Sequence, residues 1–350
     1  MKSPEPTPLS NRPLCPLSKT PDPKKQNGFH EVWYLKLNDV ASGRALWLRL
    51  TLLLSRNGFR QVAETWAIFF QRKETLEITK VAVKQTHDLS AFSAVLKPPA
   101  ETIQIAGCEL SDRQTCGTVQ SKGQSIQWNF KITPKISAQF NLVPPLLSQA
   151  GIVKNTALTV GEDLLFNGTC VINGETFTWK DAPGMQAHLA GPRNGHSWVW
   201  GHCNTFIGEE GQIAPVIFEG LTAKALLRGG ISSPKMSTFY FHYRGKEYSF
   251  NTLWHAIRSQ SHHSLTDWQF IAEENDLSFR GHVQAELRNF AGVTYEDTDG
   301  SFLFCANSKL SDMTLLVYRN EKLEARFQAR GTAAFEVVTR QKNPYVPILL

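Results

Sequence analysis

The stretch HSWVWGHCNTF, residues 196 to 206, carries the most chemically specific grouping in the chain. Read as an extended strand, it sets Trp198, Trp200, His202, Asn204 and Phe206 on one face, because successive side chains of a strand point to opposite sides. Val199, Gly201 and Cys203 take the other face. Two indoles beside an imidazole and an amide suit neither a dry core nor a solvated surface. They suit the wall of a mostly apolar pocket with a few hydrogen-bonding groups. His202 then either touches a ligand or braces the strand, and Asn204 carries the same two readings.

Several standard chemistries fail on spacing. GHSWV lacks the second glycine of a nucleophile elbow, and no glycine-rich phosphate motif is present. EDTDG, residues 296 to 300, lacks the spaced ligands of a calcium loop and reads as a hairpin turn with Gly300 at positive φ. His196 and His202 share a face but stand roughly 20 Å apart at about 3.3 Å per residue, so they cannot chelate one ion. SHHS, 261 to 264, reads as an exposed loop. No metal site is expected.

Composition narrows the class further. The chain has 350 residues, with 21 Phe, 9 Trp and 7 Tyr, more aromatic surface than a plain scaffold needs. Its formal charge of +6 is spread along the chain, which argues against nucleic-acid binding. The six cysteines (15, 108, 116, 170, 203 and 305) form no C-x-x-C and read as free, buried thiols. Residues 1 to 23 hold seven prolines and no apolar h-region, so they do not read as a secretory signal. The longest apolar run, ALWLRLTLLL, contains Arg49 and is too short to span a bilayer. A soluble, cytoplasmic protein is expected.

The elements that must position the aromatic face are strands. After a Pro-rich, flexible 1–27, period-two runs dominate, among them FHEVWYLKL, ALWLRLTLLL, QVAETWAIFF and SIQWNFKIT, separated by turn clusters. The segment 180–195, with two prolines and three glycines, reads as a boundary between β domains over 28–190 and 191–350. Period-two runs then resume and end near Thr339. Only NTLWHAIRSQ, with Asn251 as a possible cap, looks helical. No sequence repeat relates the halves. The fold class expected is all-β: two antiparallel barrel- or sandwich-like units with very little helix.

In the first hairpin, Leu46, Leu48, Leu50, Leu52 and Leu54 mark a core face, and Trp47, Arg49 and Thr51 a second one that is aromatic but charged. A turn centred on residue 41 sets Trp33 opposite Arg49 and Glu31 opposite Thr51. In the next strand, Val62, Glu64, Trp66, Ile68 and Phe70 repeat the mixture. Such a face can look into a ligand-holding lumen, or it can bury an Arg49–Glu64 pair with Trp33 stacked on the guanidinium. Farther on, a GEEG turn pairing Ile207 with Ile213 sets Phe218 opposite His202 and Val216 opposite Asn204. Glu219 would then point away, unless Pro215 introduces a bulge.

EVWYLKLND, GHCNTFIGEEG followed by IFEGL, and GVTYEDTDGSFLFCANSKL resemble the two-domain lipocalin-like group of tocopherol cyclases and carotenoid 1,2-hydratases, the hydroxyneurosporene synthase-like proteins. The lipocalin G-x-W is not intact, since Gly28 stands five residues before Trp33. The resemblance implies paired β-barrel-like units enclosing an apolar isoprenoid, carotenoid or lipid. It further implies an acid that protonates a C=C bond for hydration or cyclisation, with no redox cofactor and no metal. Such an acid must stay protonated in an apolar setting, near aromatic faces that steady a cation. Candidate acids are Glu219, Asp181, Glu31 and Glu64, with Glu219 and His202 the catalytic choice. Trp33, Arg49, Glu64, Trp66, Trp198, Trp200, Asn204, Phe206 and Tyr295 are the expected ligand contacts. The competing class is a non-catalytic carrier of the same ligands, and in either case uptake could use peripheral contact with a membrane. A third option is an interaction module whose aromatic faces simply pack together.

Overall fold

The computed structural model describes residues 28–97, 100–226 and 232–350. The Pro-rich 1–27, expected as a flexible tail, and Cys15 lie outside them. The chain folds into two antiparallel sheets with two short helices, the all-β class expected.

The first sheet is built from β1 (Phe29–Asp39), β2 (Arg44–Leu54), β3 (Gln61–Arg72), β4 (Ile78–Asp88), β5 (Phe92–Lys97), β6 (Ala100–Ile105), β7 (Cys108–Ser111), β8 (Gln114–Ser121), β9 (Gln124–Ile136), β10 (Phe140–Asn141), β11 (Thr156–Ile172) and β12 (Glu175–Gly191). Its order is β4-β3-β2-β1-β12-β11-β9-β8-β7-β6-β5, with β10 beside β11. The two ends of that path are consecutive in sequence, and β3 and β4 both touch β8 and β9, so the sheet curls over itself. Short helix α1 (Pro145–Gln149) follows β10.

The second sheet holds β13 (Ser197–Cys203), β14 (Ile217–Lys224), β15 (Met236–Tyr243), β16 (Lys246–Phe250), β17 (Gln260–His263), β18 (Asp267–Glu274), β19 (Leu277–Gln284), β20 (Ala291–Glu296), β21 (Phe302–Arg319) and β22 (Lys322–Thr339). Its order is β16-β15-β14-β13-β22-β21-β19-β18-β17, with β20 beside β21. Both sheets therefore share one plan: four meandering strands, with the last strand returning to pair with the first. The repeat that the sequence conceals is present in the backbone. Helix α2 (Leu253–Arg258) starts on Thr252, whose hydroxyl accepts from the His255 N–H, so Thr252 rather than Asn251 is the cap. SHHS is not a loop but contributes most of β17. The Pro/Gly-rich 180–195 is mostly strand, since β12 runs to Gly191 and only 192–196 connects the sheets.

The period-two pattern sorts side chains into three cores. Leu35, Leu48, Leu50, Trp128, Phe130 and Trp179 fill the inside of the first sheet. Phe218, Phe239, Phe241, Trp268, Phe270 and Phe279 fill the inside of the second, where Phe241 and Phe279 stack at 4.1 Å. The third core lies between the sheets, where Trp47, Trp66, Ile68 and Phe70 meet Trp200, Ile217, Tyr240 and Tyr295. Five described cysteines are free, four buried and Cys116 half-buried. Among the described residues no helix is long and apolar enough to cross a membrane.

One glycine marks how tightly the first sheet is built. Gly184 pairs with Leu37 on one side and Leu164 on the other, and a Cβ there would lie 2.3 Å from the Lys36 carbonyl oxygen and 2.6 Å from the Phe166 ring. Backbone cannot yield as a side-chain tip does. Gly184→Ala is expected to destabilise the fold by about 2–3 kcal/mol, read as a lower midpoint in urea unfolding. An unchanged midpoint would show that the sheet relaxes there.

Candidate functional site

The space between the sheets is not completely filled. A chamber of about 190 Å³ lies among Tyr34, Trp47, Arg49, Trp198, Trp200 and Tyr295, with Leu142, Leu189, Leu221 and Glu336 also on its wall. It shares Leu142, Val143, Asn155, Asn194, Leu221 and Ala223 with a vestibule of about 980 Å³. Chamber and vestibule form one cleft between the sheets. A lumen inside a barrel was the expectation, but the concave side of each sheet is packed with its own aromatic and aliphatic side chains.

Strand phase decides which residues reach the cleft. The β1–β2 hairpin pairs Asp39 with Arg44, so its axis falls between residues 41 and 42, half a residue from the expected centre. Arg49 therefore faces Tyr34, and Trp33 faces Leu50. That slip moves Trp33 to the opposite side. It sits in the first core, stacked on His188 at 5.2 Å, and lines neither of the spaces described above. Likewise His202 pairs with Glu219, and Phe218 with Cys203. Ile207 does bridge Ile213, but Pro215 and Val216 precede the strand, and the phase shifts by one. Glu219 thus shares the inter-sheet face with Trp200 and His202.

The remaining expected residues divide. Trp198, Trp200, Arg49 and Tyr295 line the chamber. The Arg49 guanidinium lies 4.2 Å from the Tyr295 ring centroid and 5.4 Å from that of Trp66, and its Nε donates to Thr51 at 2.9 Å. No carboxylate among the described residues pairs with it. Glu64 instead meets Lys84 at 2.9 Å and Arg60 at 3.5 Å, so the expected Arg49–Glu64 pair is not formed. Trp66 lies behind Arg49 in the inter-sheet core. Asn204 braces, its amide donating to Asp163 at 2.8 Å and to the Gly184 carbonyl at 3.1 Å. Phe206 packs in the second sheet's own core, because β13 ends at Cys203 and alternation cannot be extended past it. Of the other candidate acids, Glu31 is buried in contact with His188 at 2.7 Å, and Asp181 is exposed beside Asn167.

Behind Trp200 lies a buried carboxyl pair. The Trp200 indole N–H donates to Glu219 Oε1 at 2.9 Å, and the Thr159 hydroxyl donates to the same oxygen at 2.8 Å. The Glu162 carboxyl is fully buried in the same cluster, and the two acids interact. Burial first, and then the negative charge of Glu219, hold Glu162 well above the ordinary carboxylate range. Burial also raises Glu219, against hydrogen bonds from Glu162, Trp200 and Thr159 that favour its anion. Of the two carboxyls, Glu162 is the one whose charged form is the more disfavoured. His202 completes the cluster, with Nε2 3.0 Å from the Glu162 carbonyl oxygen and 3.4 Å from its carboxylate. Burial and the charge of Lys36 keep the imidazole neutral. This places His202 as a brace to the pair, one layer away from the chamber.

Glu162 was not among the candidate acids, although the sequence carries a signal for it. TALTVGEDLLF puts two acids in the middle of an apolar strand. Register shifts on either side of Gly161 turn this part of β11 out of the regular ladder. A second polar chain ties the sheets together: Lys36 Nζ donates to Asn38 at 2.9 Å, Asn38 to the Lys309 carbonyl at 2.9 Å, and Lys309 Nζ to Glu336 at 2.6 Å. Burial lowers Lys36 to about 8. Among the described residues no group of three His, Cys, Asp or Glu is placed to hold a metal ion.

No family model matches the chain. Two uncharacterized proteins of Mycobacterium tuberculosis, from strains CDC 1551 / Oshkosh and ATCC 25618 / H37Rv, are each 19% identical over 286 residues, covering 82% of this chain and 80% of the relative. Among solved structures, kievitone hydratase from Nectria haematococca superposes with a TM-score of 0.49 at 9% identity, over 89% of each chain. An AttH-type protein from Nitrosomonas europaea gives 0.46 at 9% identity, over 89% of this chain and 92% of that one. Likenesses at this level assign no residue a role.

The carboxyl pair has a pH signature. His202 is the same in wild type and variant, so its own titration cancels from the difference between them. A carboxyl with a raised folded pKa stabilises the fold below its ordinary value of 4.5, and that contribution is lost as pH rises toward the folded value. Glu162→Gln keeps a donor toward Glu219 but has no proton to lose. Its stability relative to wild type, from urea unfolding, is expected to improve as pH rises above about 5, over the range in which Glu162 gives up its proton. A difference that does not change with pH would mean that Glu162 ionises normally.

Proposed function

We propose that this protein binds an elongated, mostly apolar, isoprenoid-like molecule in the cleft between its two sheets. The supporting observation is the aromatic chamber itself, which is continuous with a wider vestibule and walled by Trp198, Trp200, Trp47 and Tyr34. Aromatic walls of this kind hold apolar ligands by area and give a polar end few places to go. At the polar end, Arg49 faces the chamber without a carboxylate partner and Glu336 is tied to Lys309. A hydroxyl or carbonyl on the ligand fits there. This reading makes the protein a carrier or an enzyme on one scaffold.

The carboxyl pair favours a second, catalytic reading within the same site. Glu162 holds a proton in an apolar setting, and the route from Glu219 to the chamber is one side chain thick, that of Trp200. If Trp200 swings aside, the pair can protonate a C=C bond of the ligand. Tyr34, edge-on to Trp200 at 5.7 Å, and Tyr295 would then steady the cation until water or an internal hydroxyl captures it. Hydration or cyclisation would follow from which nucleophile is nearer.

Two measurements separate the possibilities. Titration with a polyene or a prenylated quinol is expected to quench intrinsic fluorescence saturably, and Trp198→Ala to weaken that binding about tenfold. No saturable quenching by either ligand would count against a binding cleft. Under the catalytic reading, Glu219→Gln should lower turnover about 10²-fold or more while leaving the quenching curve in place. Wild-type binding without any turned-over product identifies a carrier.

A further inference from the structure

The vestibule has a charge pattern that an apolar ligand alone does not use. Arg56, Lys154, Arg193 and Lys224 line it, and among the described residues no Asp or Glu does. None of the four forms a salt bridge among the described residues, whereas the nearby Arg60 and Arg340 are paired with Glu296 and Asp297. Asp299 feels the charge of Arg56 only from beyond that range. Lys154 is exposed, but Arg56, Arg193 and Lys224 are half-buried. The Arg193 guanidinium is held in place by donating to the Leu226 carbonyl. Half-buried cations without counter-charges give up hydration that a carbonyl acceptor only partly replaces, and an arriving anion would restore it.

We propose that the ligand is an amphiphile whose carboxylate or phosphate head sits among Arg56, Lys154, Arg193 and Lys224, while its apolar tail runs inward to the tryptophan-lined chamber. The continuity of the two spaces through Leu142, Val143, Leu221 and Ala223 lets one molecule occupy both. Long-range attraction at the mouth would draw the head in and set the direction of entry. This proposal rests on the binding role proposed above and adds to it the chemical class of the ligand's outer end.

The test is a matched set of probes with one tail: dodecyl phosphate, dodecanoate and dodecanol, each below its aggregation concentration and read by tryptophan fluorescence. The two anions are expected to bind about tenfold more tightly than the alcohol at low ionic strength, and to lose that advantage in about 1 M salt. The double variant Arg193→Gln/Lys224→Gln should bring all three probes together without weakening dodecanol. The salt dependence of the wild type keeps the test decisive should the variant fail to fold. Equal, salt-independent binding of all three probes would overturn the anionic head but leave the apolar cleft intact. Binding of none would overturn the cleft itself. Sedimentation with anionic vesicles, without binding of the monomeric anions, would make the mouth a membrane-facing surface and overturn the single-ligand proposal.

Discussion

The central strands of both sheets are buried on their two faces, and the rest of the structure depends on that constraint. In β1 and β2, one face enters a sealed aliphatic and aromatic core while the other meets a second sheet. Polar side chains sealed in the inter-sheet face away from the cleft cannot reach water, so each is driven to find a partner or lose its charge. Both solutions occur. Lys309 and Glu336 keep opposite charges and pair at 2.6 Å, whereas Glu162 and Glu219, two acids with no cation between them, hold a proton instead.

The same constraint separates the polar seam from the apolar cleft. Polar groups find partners from opposite sheets and hold the sheets together where Thr159 meets Glu219 and Asn204 meets Asp163. Where the facing residues are broad rings, as around Trp198, Trp200 and Tyr295, flat surfaces meet imperfectly and a chamber remains. Trp200 belongs to both regions. Its ring walls the chamber, and its N–H is spent on Glu219.

Much of this was legible in the sequence, because period two is a strong signal when both faces of a strand are buried. The leucine face of β2 and the mixed face of β3 fall where alternation places them, and Trp198 and Trp200 share a face as expected. What alternation cannot supply is register. Half a residue in the centre of the first hairpin sent Trp33 to the wrong core, and one residue before β14 moved Glu219 onto the side of His202. Bulges hide the rest. Glu162 points into the interface because β11 breaks its ladder at Gly161, and no repeat in the sequence announces that break. The end of a strand is equally silent, and alternation carried past Cys203 places Phe206 on a face it does not share. The shared plan of the two sheets lies in strand order, which many unrelated side-chain sets can satisfy, so it leaves no trace in residue identity.

A cleft between sheets differs from a barrel lumen in what it can tolerate. A lumen can be reshaped without disturbing the outside of the barrel, but here the residues that line the chamber also hold the sheets together. Glu336 is both on the chamber wall and the partner of Lys309. Trp47 is both on that wall and beneath the Lys309 ammonium, 5.8 Å from its ring centroid. Any change that enlarges the chamber therefore withdraws packing or a counter-charge from the interface. For the ligand proposed above, affinity and stability would be coupled at these positions, and specificity would vary most freely at the vestibule, where Lys154 and Ile152 are exposed.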